Sequence, residues 1–350
     1  MKMRFTGRVP AIENREIIIV KNNKLILMLN FLRLIRYKNL LIIAVTQYMM
    51  RYCIINPILK VSGLELQMDQ FHFILLVLSS ILITAAGYVI NDYFDTGTDM
   101  LNRPETVIVG KIINRKMAML IHILLNIIGI GIGIYLCFRV NVIAFGVAYL
   151  FAPGILWFYS TTYKRQFLIG NLIVAIFTGM VPFIVAVFEV PLLNQQYREL
   201  MLRLNMNFNN ILGWVGGFSF FAFLSTLVRE IIKDIEDFKG DRAFGRNTLP
   251  VVLGIRTSKI ITVCLIILNI ISLLYIYIRY LMHTINGRID YVSMAYIIIL
   301  LVIPFFILVY LIAKAENKNQ YHQASNLTKF IMLTGILYSL AAFFIITRTF

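Results

Sequence analysis

Six aspartates with a repeated spacing are the residues of this chain best suited to chemistry. They form two groups of three, namely Asp92, Asp95 and Asp99, followed by Asp234, Asp237 and Asp241. In each group the side chains stand at positions i, i+3 and i+7, which share one face of an α-helix. Two facing acidic stripes repel each other unless cations lie between them, and Mg²⁺ shared with a phosphate-bearing substrate suits carboxylate ligands. The spacing therefore predicts six metal-binding aspartates and a Mg²⁺ cofactor.

Basic side chains near these groups are candidates for binding phosphate. Arg103 follows the first group, and Lys164 lies in a short loop between two apolar runs. Arg229 and Lys233 precede the second group by about one helical turn. Together with Mg²⁺, such cations neutralise a diphosphate and stabilise it as it leaves. For Lys164 the alternative explanation is that it anchors a loop at the membrane surface. We expect the catalytic residues to be Asp92, Asp95, Asp234, Asp237 and Lys164.

Two tyrosines, Tyr159 and Tyr163, immediately precede Lys164 in the chain. An aromatic face stabilises a carbocation as it does an ammonium group. Aromatic side chains are also enriched at membrane interfaces, where they act only as anchors. We therefore take both tyrosines as substrate-binding candidates and keep the anchoring interpretation as the alternative.

The composition decides which class of protein positions these residues. The chain has 350 residues, of which 59% are hydrophobic and 14% charged, and its mean hydropathy is +0.80. These values are typical of an integral membrane protein. The net charge of +16 does not indicate nucleic-acid binding here, because Lys and Arg in the loops of membrane proteins usually report topology.

Nine apolar runs are each close to the roughly 20 residues that cross a bilayer core. They cover residues 39–57, 71–90, 117–137, 140–159, 168–190, 211–232, 258–279, 292–313 and 328–348. The runs are continuously apolar rather than alternating, which indicates helices and not a barrel. The sequence therefore predicts an all-α polytopic membrane protein in which each aspartate group follows the end of an apolar run.

The distribution of basic residues predicts the orientation. Of the 33 Lys and Arg residues, 25 fall on the side of the N-terminus and of both aspartate groups, and 7 on the other side. By the positive-inside rule the N-terminus and the active site are cytosolic, in the inner or plasma membrane of the cell. We divide the chain into a cytosolic tail with an interfacial helix at 1–37 and a transmembrane domain at 38–350. Residues 191–210 are expected to form an enlarged external loop.

The sequence resembles the UbiA superfamily of intramembrane prenyltransferases over roughly residues 30–350. The likeness is carried by Arg36, Asn39, Asn91 to Asp95, Asp99, Asn102, Pro104, Tyr159, Lys164, Gly170, Asn171 and the segment 234–241. Within the superfamily, the segments 229–237 and 248–250 are most similar to the members that attach a geranylgeranyl group to geranylgeranylglyceryl phosphate. Many relatives have Arg-Pro-x-x-x-Gly after the first group, and here Arg103 is expected to substitute for that basic contact.

The resemblance implies a nine-helix bundle around a chamber open to lipid, with a helical cap on the cytosolic side. It implies that Mg²⁺ ions bridge the aspartates to the diphosphate of a polyprenyl donor, and that C–O cleavage yields an allylic cation captured by a membrane-associated acceptor. The substrate-binding residues would then be Arg36, Asn39, Asn91, Arg103, Tyr159, Tyr163, Lys164, Arg229 and Lys233.

Other functions remain open at this point. The acceptor could be a glycerol ether lipid or an aromatic compound of quinone or haem biosynthesis. A different class is a divalent-cation transporter, which would place carboxylates near the middle of the bilayer, whereas here they collect at one end of the spans. A phosphotransferase acting on CDP-alcohols would show a denser Gly and Ala pattern between its aspartates.

Overall fold

The computed structural model describes residues 28–102, 105, 107–282 and 289–348. Most of the predicted tail, at 1–27, lies outside this range. Nine helices in the described part are long and apolar enough to cross a membrane, so the predicted all-α polytopic fold is confirmed. They are α1 (Tyr37–Val61), α2 (Gln70–Asn102), α3 (Arg115–Arg139), α4 (Ile143–Thr161), α5 (Ile169–Gln196), α7 (Asn209–Glu236), α9 (Leu249–Leu281), α10 (Tyr291–Lys314) and α11 (Lys318–Arg348). Shorter helices include α6 (Arg198–Leu204) and α8 (Phe238–Ala243), and residues 28–34 are also helical.

Several helices extend beyond the apolar runs that predict them. Helix α2 continues to Asn102, past the end of the apolar run at residue 90, so the first aspartate group lies on a helix, as its spacing predicts. Helix α5 continues to Gln196 and α6 begins at Arg198, so the prediction of a loop at 191–210 is wrong for much of that segment. An apolar run indicates which part of a helix hydrocarbon covers. It does not indicate how far the helix continues beyond that part.

Helix α7, which leads to the second aspartate group, lies at the centre of the packing. It packs against α5, α9 and α11. Along the half of α7 that approaches the aspartates, Val228, Ile231 and Ile232 are fully buried and join one core with Phe305 and Ile331. A helix held on three sides by neighbours gives the carboxylates at its end a rigid base.

Helix α1 carries a charge inside the predicted membrane span. Its Arg51 is 3% exposed and forms an ion pair of 3.4 Å with Glu189 of α5, which is 1% exposed. The guanidinium lies 4.5 Å from the ring centroid of Phe73 and donates to the carbonyl of Met68. The carboxylate of Glu189 also accepts from the backbone N–H of Met68 at 3.2 Å. The pair therefore makes Arg51 compatible with a membrane span and ties α1 and α5 to the segment before α2.

We expect Glu189→Gln to lower the thermal stability of the purified protein in detergent. The substitution leaves the Arg51 guanidinium buried without a counter-charge, and breaking a buried pair in this way costs about 3–5 kcal/mol. The control is Glu199→Gln in the Arg203–Glu199 pair, whose side chains are 80% and 88% exposed. That control should change stability by less than about 0.5 kcal/mol. Equal melting temperatures for the two variants would contradict the prediction.

Candidate active site

The first aspartate group is held by residues that flank the start of α1. Asp92 accepts a hydrogen bond of 3.0 Å from the guanidinium of Arg36. Arg36 adopts a left-handed backbone (φ 52°, ψ 53°), and its guanidinium lies 4.7 Å from the ring centroid of Tyr88. The hydroxyl of Tyr88 in turn accepts from Asn39 at 3.2 Å. The structure thus brings the predicted Arg36 and Asn39 to the first group, one in direct contact and one through Tyr88.

Lys164 reaches the same group from the loop between α4 and α5. Its Nζ donates to Asp95 Oδ1 at 2.6 Å and to Asn91 Oδ1 at 3.2 Å, and the side chain is 8% exposed. Burial lowers the pKa of Lys164, and the Asp95 carboxylate opposes that shift. A buried ammonium paired with a carboxylate is more than a surface anchor, so the geometry favours the chemical interpretation of Lys164 over the anchoring one.

The position of Lys164 depends on a close backbone contact with Gly170 in the first turn of α5. A Cβ atom at Gly170 would lie 2.8 Å from the Cα of Lys164 and 3.1 Å from the carbonyl oxygen of Tyr163. Residues Tyr163–Arg165 form a single 3₁₀ turn, and Leu168 just before α5 has φ 59°. The loop therefore fits against the helix only because position 170 has no side chain.

The second aspartate group does not form one helical stripe, and that prediction is wrong. Helix α7 ends at Glu236, Asp237 has φ −96° and ψ 8°, and Asp241 lies in α8. Asp234 accepts from Asn171 at 2.8 Å, and Asp237 pairs with Lys318 at 3.3 Å. The kink at Asp237 redirects the last turn, which places the carboxylate of Asp241 in the protein rather than in water.

Asp241 is 6% exposed, the most buried member of its group. Its Oδ1 accepts from Nη1 of Arg246 at 3.2 Å. Burial raises the pKa of Asp241 and the negative charge of Asp237 adds to that effect, whereas Arg246 and the Thr248 hydroxyl lower it. Asp241 is therefore buried against the guanidinium of Arg246.

Arg246 joins the two aspartate groups. In addition to Asp241, its guanidinium lies 3.7 Å from Asp95 of α2 through Nη2, and its side chain is 19% exposed. The next residue, Asn247, donates its backbone N–H to the carbonyl of Arg165 at 2.8 Å, which connects this loop to the loop of Lys164. Sequence analysis missed Arg246, because no spacing rule links it to Asp95.

The two tyrosine candidates occupy different environments. Tyr159 lies within electrostatic range of Asp95 in the first aspartate group and of Asp234 in the second. Tyr163 packs instead against Phe158, with ring centroids 6.1 Å apart. The structure therefore brings Tyr159 to the site and gives Tyr163 an aromatic neighbour on the preceding helix.

The remaining predicted cations, Arg229 and Lys233, both pair with Glu230. Each donates to its carboxylate at 2.8 Å. Glu230 stands four residues before Asp234, on the same face of α7. This carboxylate, which sequence analysis did not select, separates Arg229 and Lys233 from direct pairing with the aspartates.

Two of the predicted site residues have side chains that the structure does not describe. Arg103 lies outside the described residues, and Asp99 is described by its helical backbone in α2 but not by its side chain. Among the residues described, no three His, Cys, Asp or Glu side chains are grouped closely enough to hold a metal ion. The donor chemistry still fits Mg²⁺, because the two groups offer hard carboxylate oxygens with Asn91 and Asn171 beside them.

A model of the UbiA prenyltransferase family matches residues 63–342 of this chain. The chain belongs to the UbiA prenyltransferase family. It is 32% identical over 278 residues to the digeranylgeranylglyceryl phosphate synthase of Methanobrevibacter smithii, covering 79% of this chain and 87% of that protein. Membership of this family makes the protein a prenyltransferase. It therefore favours prenyl transfer over the alternative of cation transport.

Solved structures agree on the UbiA fold. A structure of digeranylgeranylglyceryl phosphate synthase superimposes with a TM-score of 0.61 at 23% identity, covering 90% of this chain and 99% of that one. A UbiA homolog from Archaeoglobus fulgidus bound to GPP and Mg²⁺ gives a TM-score of 0.50 at 16% identity, covering 89% and 99%. At these identities the likeness concerns the fold.

We expect Gly170→Ala to reduce kcat/KM for prenyl transfer by about 10²-fold. The added methyl group displaces the backbone of Lys164, and a shift of about 1 Å in a catalytic group has an effect of this size. The control is Gly216→Ala in α7, where a Cβ meets no atom within 4 Å.

A double substitution isolates the cause of that loss. In a Lys164→Gln background, Gly170→Ala should have little further effect, because both changes act on the same contact. Losses that simply multiply would show that Gly170 acts independently of Lys164.

Proposed function

We propose that this protein transfers a polyprenyl group from a polyprenyl diphosphate to a glyceryl phosphate lipid that already carries one prenyl ether, with Mg²⁺ bound at the two aspartate groups. The observation that carries the proposal is the link made by Arg246, which brings Asp95 of α2 and Asp241 of α8 to one guanidinium. Two carboxylate groups from distant parts of the chain thus meet at one end of the bundle, beside the buried Lys164.

The proposed metal ligands are Asp92, Asp95, Asp99, Asp234, Asp237 and Asp241. When bound, Mg²⁺ would neutralise the diphosphate and make it a better leaving group. The homolog from Archaeoglobus fulgidus bound to GPP and Mg²⁺ supports this choice of metal and of donor class. Carboxylates at the edge of a bilayer are also energetically expensive, which favours a functional role for them.

The cations of this chain are placed to hold the diphosphate. Lys164 and Arg246 lie at Asp95, and Arg36 lies at Asp92. An Arg fork binds phosphate oxygens in two directions, while Lys acts as a point charge. Because these groups are fixed before substrate arrives, they stabilise the negative charge that develops on the leaving diphosphate.

In the proposed reaction the bond between C1 of the prenyl chain and the diphosphate oxygen breaks, and the electron pair leaves with the diphosphate. The allylic cation that remains faces the ring of Tyr159, whose π face favours a positive charge. A hydroxyl oxygen of the acceptor then forms the new C–O bond and loses its proton to water at the polar end of the bundle. The products are diphosphate and an ether.

The choice of a glyceryl phosphate acceptor rests on similarity to relatives named digeranylgeranylglyceryl phosphate synthase, such as that of Methanobrevibacter smithii. An aromatic acceptor is the alternative. The deciding experiment incubates purified protein and Mg²⁺ with labelled geranylgeranyl diphosphate and either geranylgeranylglyceryl phosphate or 4-hydroxybenzoate. A labelled diether phosphate supports the proposal, whereas a prenylated benzoate alone would replace it.

We expect Asp95→Asn to reduce turnover by at least about 10²-fold, because the carboxylate that would hold the metal loses its charge. Chelation of the wild type by EDTA should abolish activity, and added Mg²⁺ should restore it. The matched control is Asp69→Asn. Asp69 lies just before α2 and pairs with His72 in the first turn of that helix, so this variant should keep activity. Full activity of wild type in metal-free buffer would refute metal dependence.

The proposed orientation places the aspartate groups in the cytosol. In a background without the three native cysteines, Arg242→Cys in α8 and Leu202→Cys in α6 introduce exposed thiols. An impermeant thiol reagent should label position 202 in intact cells and position 242 only after the membrane is opened. The reverse pattern would invert the orientation, since positive charge is expected on the cytosolic side.

A further inference from the structure

A second set of cations lies beside the aspartate site, and we call Arg229, Lys233 and Lys329 the basic cluster. Arg229 and Lys233 share one carboxylate oxygen of Glu230, each at 2.8 Å, and Lys233 also contacts the second oxygen at 3.2 Å. Lys329 of α11 lies within electrostatic range of Arg229, Lys233 and Glu230. Two positive charges therefore share one carboxylate, and the Nζ of the exposed Lys329 donates to Asn326 at 3.2 Å.

Within the basic cluster, Arg229 and Lys233 compete for the single carboxylate of Glu230. Glu236, a further carboxylate within electrostatic range of Lys329, pairs with His322 at 3.1 Å. The Nε atom of Arg229 is buried and makes no hydrogen bond within the described part of the chain. Like charges and an unsatisfied donor at a membrane edge are unfavourable, and both are relieved when an anion binds.

The basic cluster and the cations at Asp95 have different partners. Lys164 pairs with Asp95, and Arg246 lies 3.7 Å from the same carboxylate. Arg229 and Lys233 pair instead with Glu230. Arg36 and Tyr159 nevertheless lie in electrostatic range of Glu230 as well as of the aspartates, so the two sets of cations are neighbours at one site.

We propose that the basic cluster binds the phosphate group of the acceptor, whereas Lys164, Arg246 and Arg36 serve the diphosphate of the donor. This inference rests on the proposed function, and it revises the sequence-based expectation that Arg229 and Lys233 bind the donor. A phosphate monoester offers several strong acceptor oxygens, which suit an Arg fork beside a Lys. Its glyceryl carbons would then extend from α7 toward Tyr159, where the new ether bond forms.

The test measures acceptor binding without donor, so that it does not depend on turnover. The probes are geranylgeranylglyceryl phosphate and the same lipid without its phosphate, and both are titrated against protein in nanodiscs. Arg229→Gln and Lys233→Gln should each weaken binding of the phosphate lipid by about ten- to a hundredfold, the range for a lost hydrogen bond between charged groups. Binding of the dephosphorylated lipid should change by less than about threefold. Each single variant leaves Glu230 one cation partner, which protects the fold.

Matched variants separate this role from general charge. Arg256→Gln removes an exposed arginine from α9 and should change neither titration. Arg229→Lys should recover part of the affinity for the phosphate lipid, because it restores the charge but not the fork. Affinity for geranylgeranyl diphosphate with Mg²⁺ should be unchanged in Arg229→Gln.

Two results would overturn the inference. One is an equal change, or no change, of affinity for both lipids, and the other is a loss for geranylgeranyl diphosphate in place of the phosphate lipid. Failure of the proposed function has a different signature. In that case the phosphate lipid binds through Arg229 and Lys233, which supports the inference, but no diether product forms with the donor.

Discussion

The structure of this site depends on the compensation of negative charge at the edge of a bilayer. Asp95 accepts from Lys164 at 2.6 Å and lies 3.7 Å from Arg246, which also holds the buried Asp241. An uncompensated carboxylate at the edge of a bilayer is expensive, so the chain can gather aspartates from α2, α7 and α8 only by bringing cations with them. Those cations come from loops, and the loops in turn must be fixed by the helices.

The bundle supplies that support at several levels. Helix α7 is packed on three sides by α5, α9 and α11, which gives the second aspartate group a rigid base. Gly170 lets the Lys164 loop lie directly on α5, and the bond from Asn247 to Arg165 joins that loop to the one of Arg246. Within the span α1, the Arg51–Glu189 pair applies the same rule of charge compensation. Opposite charges are therefore paired both inside the membrane span and at the aspartate groups.

Features that depend on local sequence patterns were predicted correctly, whereas features that depend on contacts between distant residues were missed. Continuous apolar runs identified all nine candidate spans found in the described residues, and the repeated aspartate spacing identified the end of the bundle where Arg246 joins both groups. The kink at Asp237 was missed because spacing assumes a regular helix, and burial of Asp241 against Arg246 favours a different path. Arg246 and Glu189 were missed because their partners, Asp95 and Arg51, are far away in sequence. The roles assigned to the aspartates remain predictions.

The balance of charge explains how one site could hold two phosphate-bearing lipids. The described aspartate side chains are Asp92, Asp95, Asp234, Asp237 and Asp241, and the cations paired with them are Arg36, Lys164, Arg246 and Lys318. Negative charge is in slight excess there, so under our proposal a divalent metal would accompany the diphosphate. In the basic cluster two cations share the one carboxylate of Glu230, so under our proposal they would hold the acceptor phosphate without a metal. Two anionic head groups repel each other strongly at low dielectric. Dividing them between a metal-dependent and a metal-independent set of cations, as we propose, would keep both next to Tyr159.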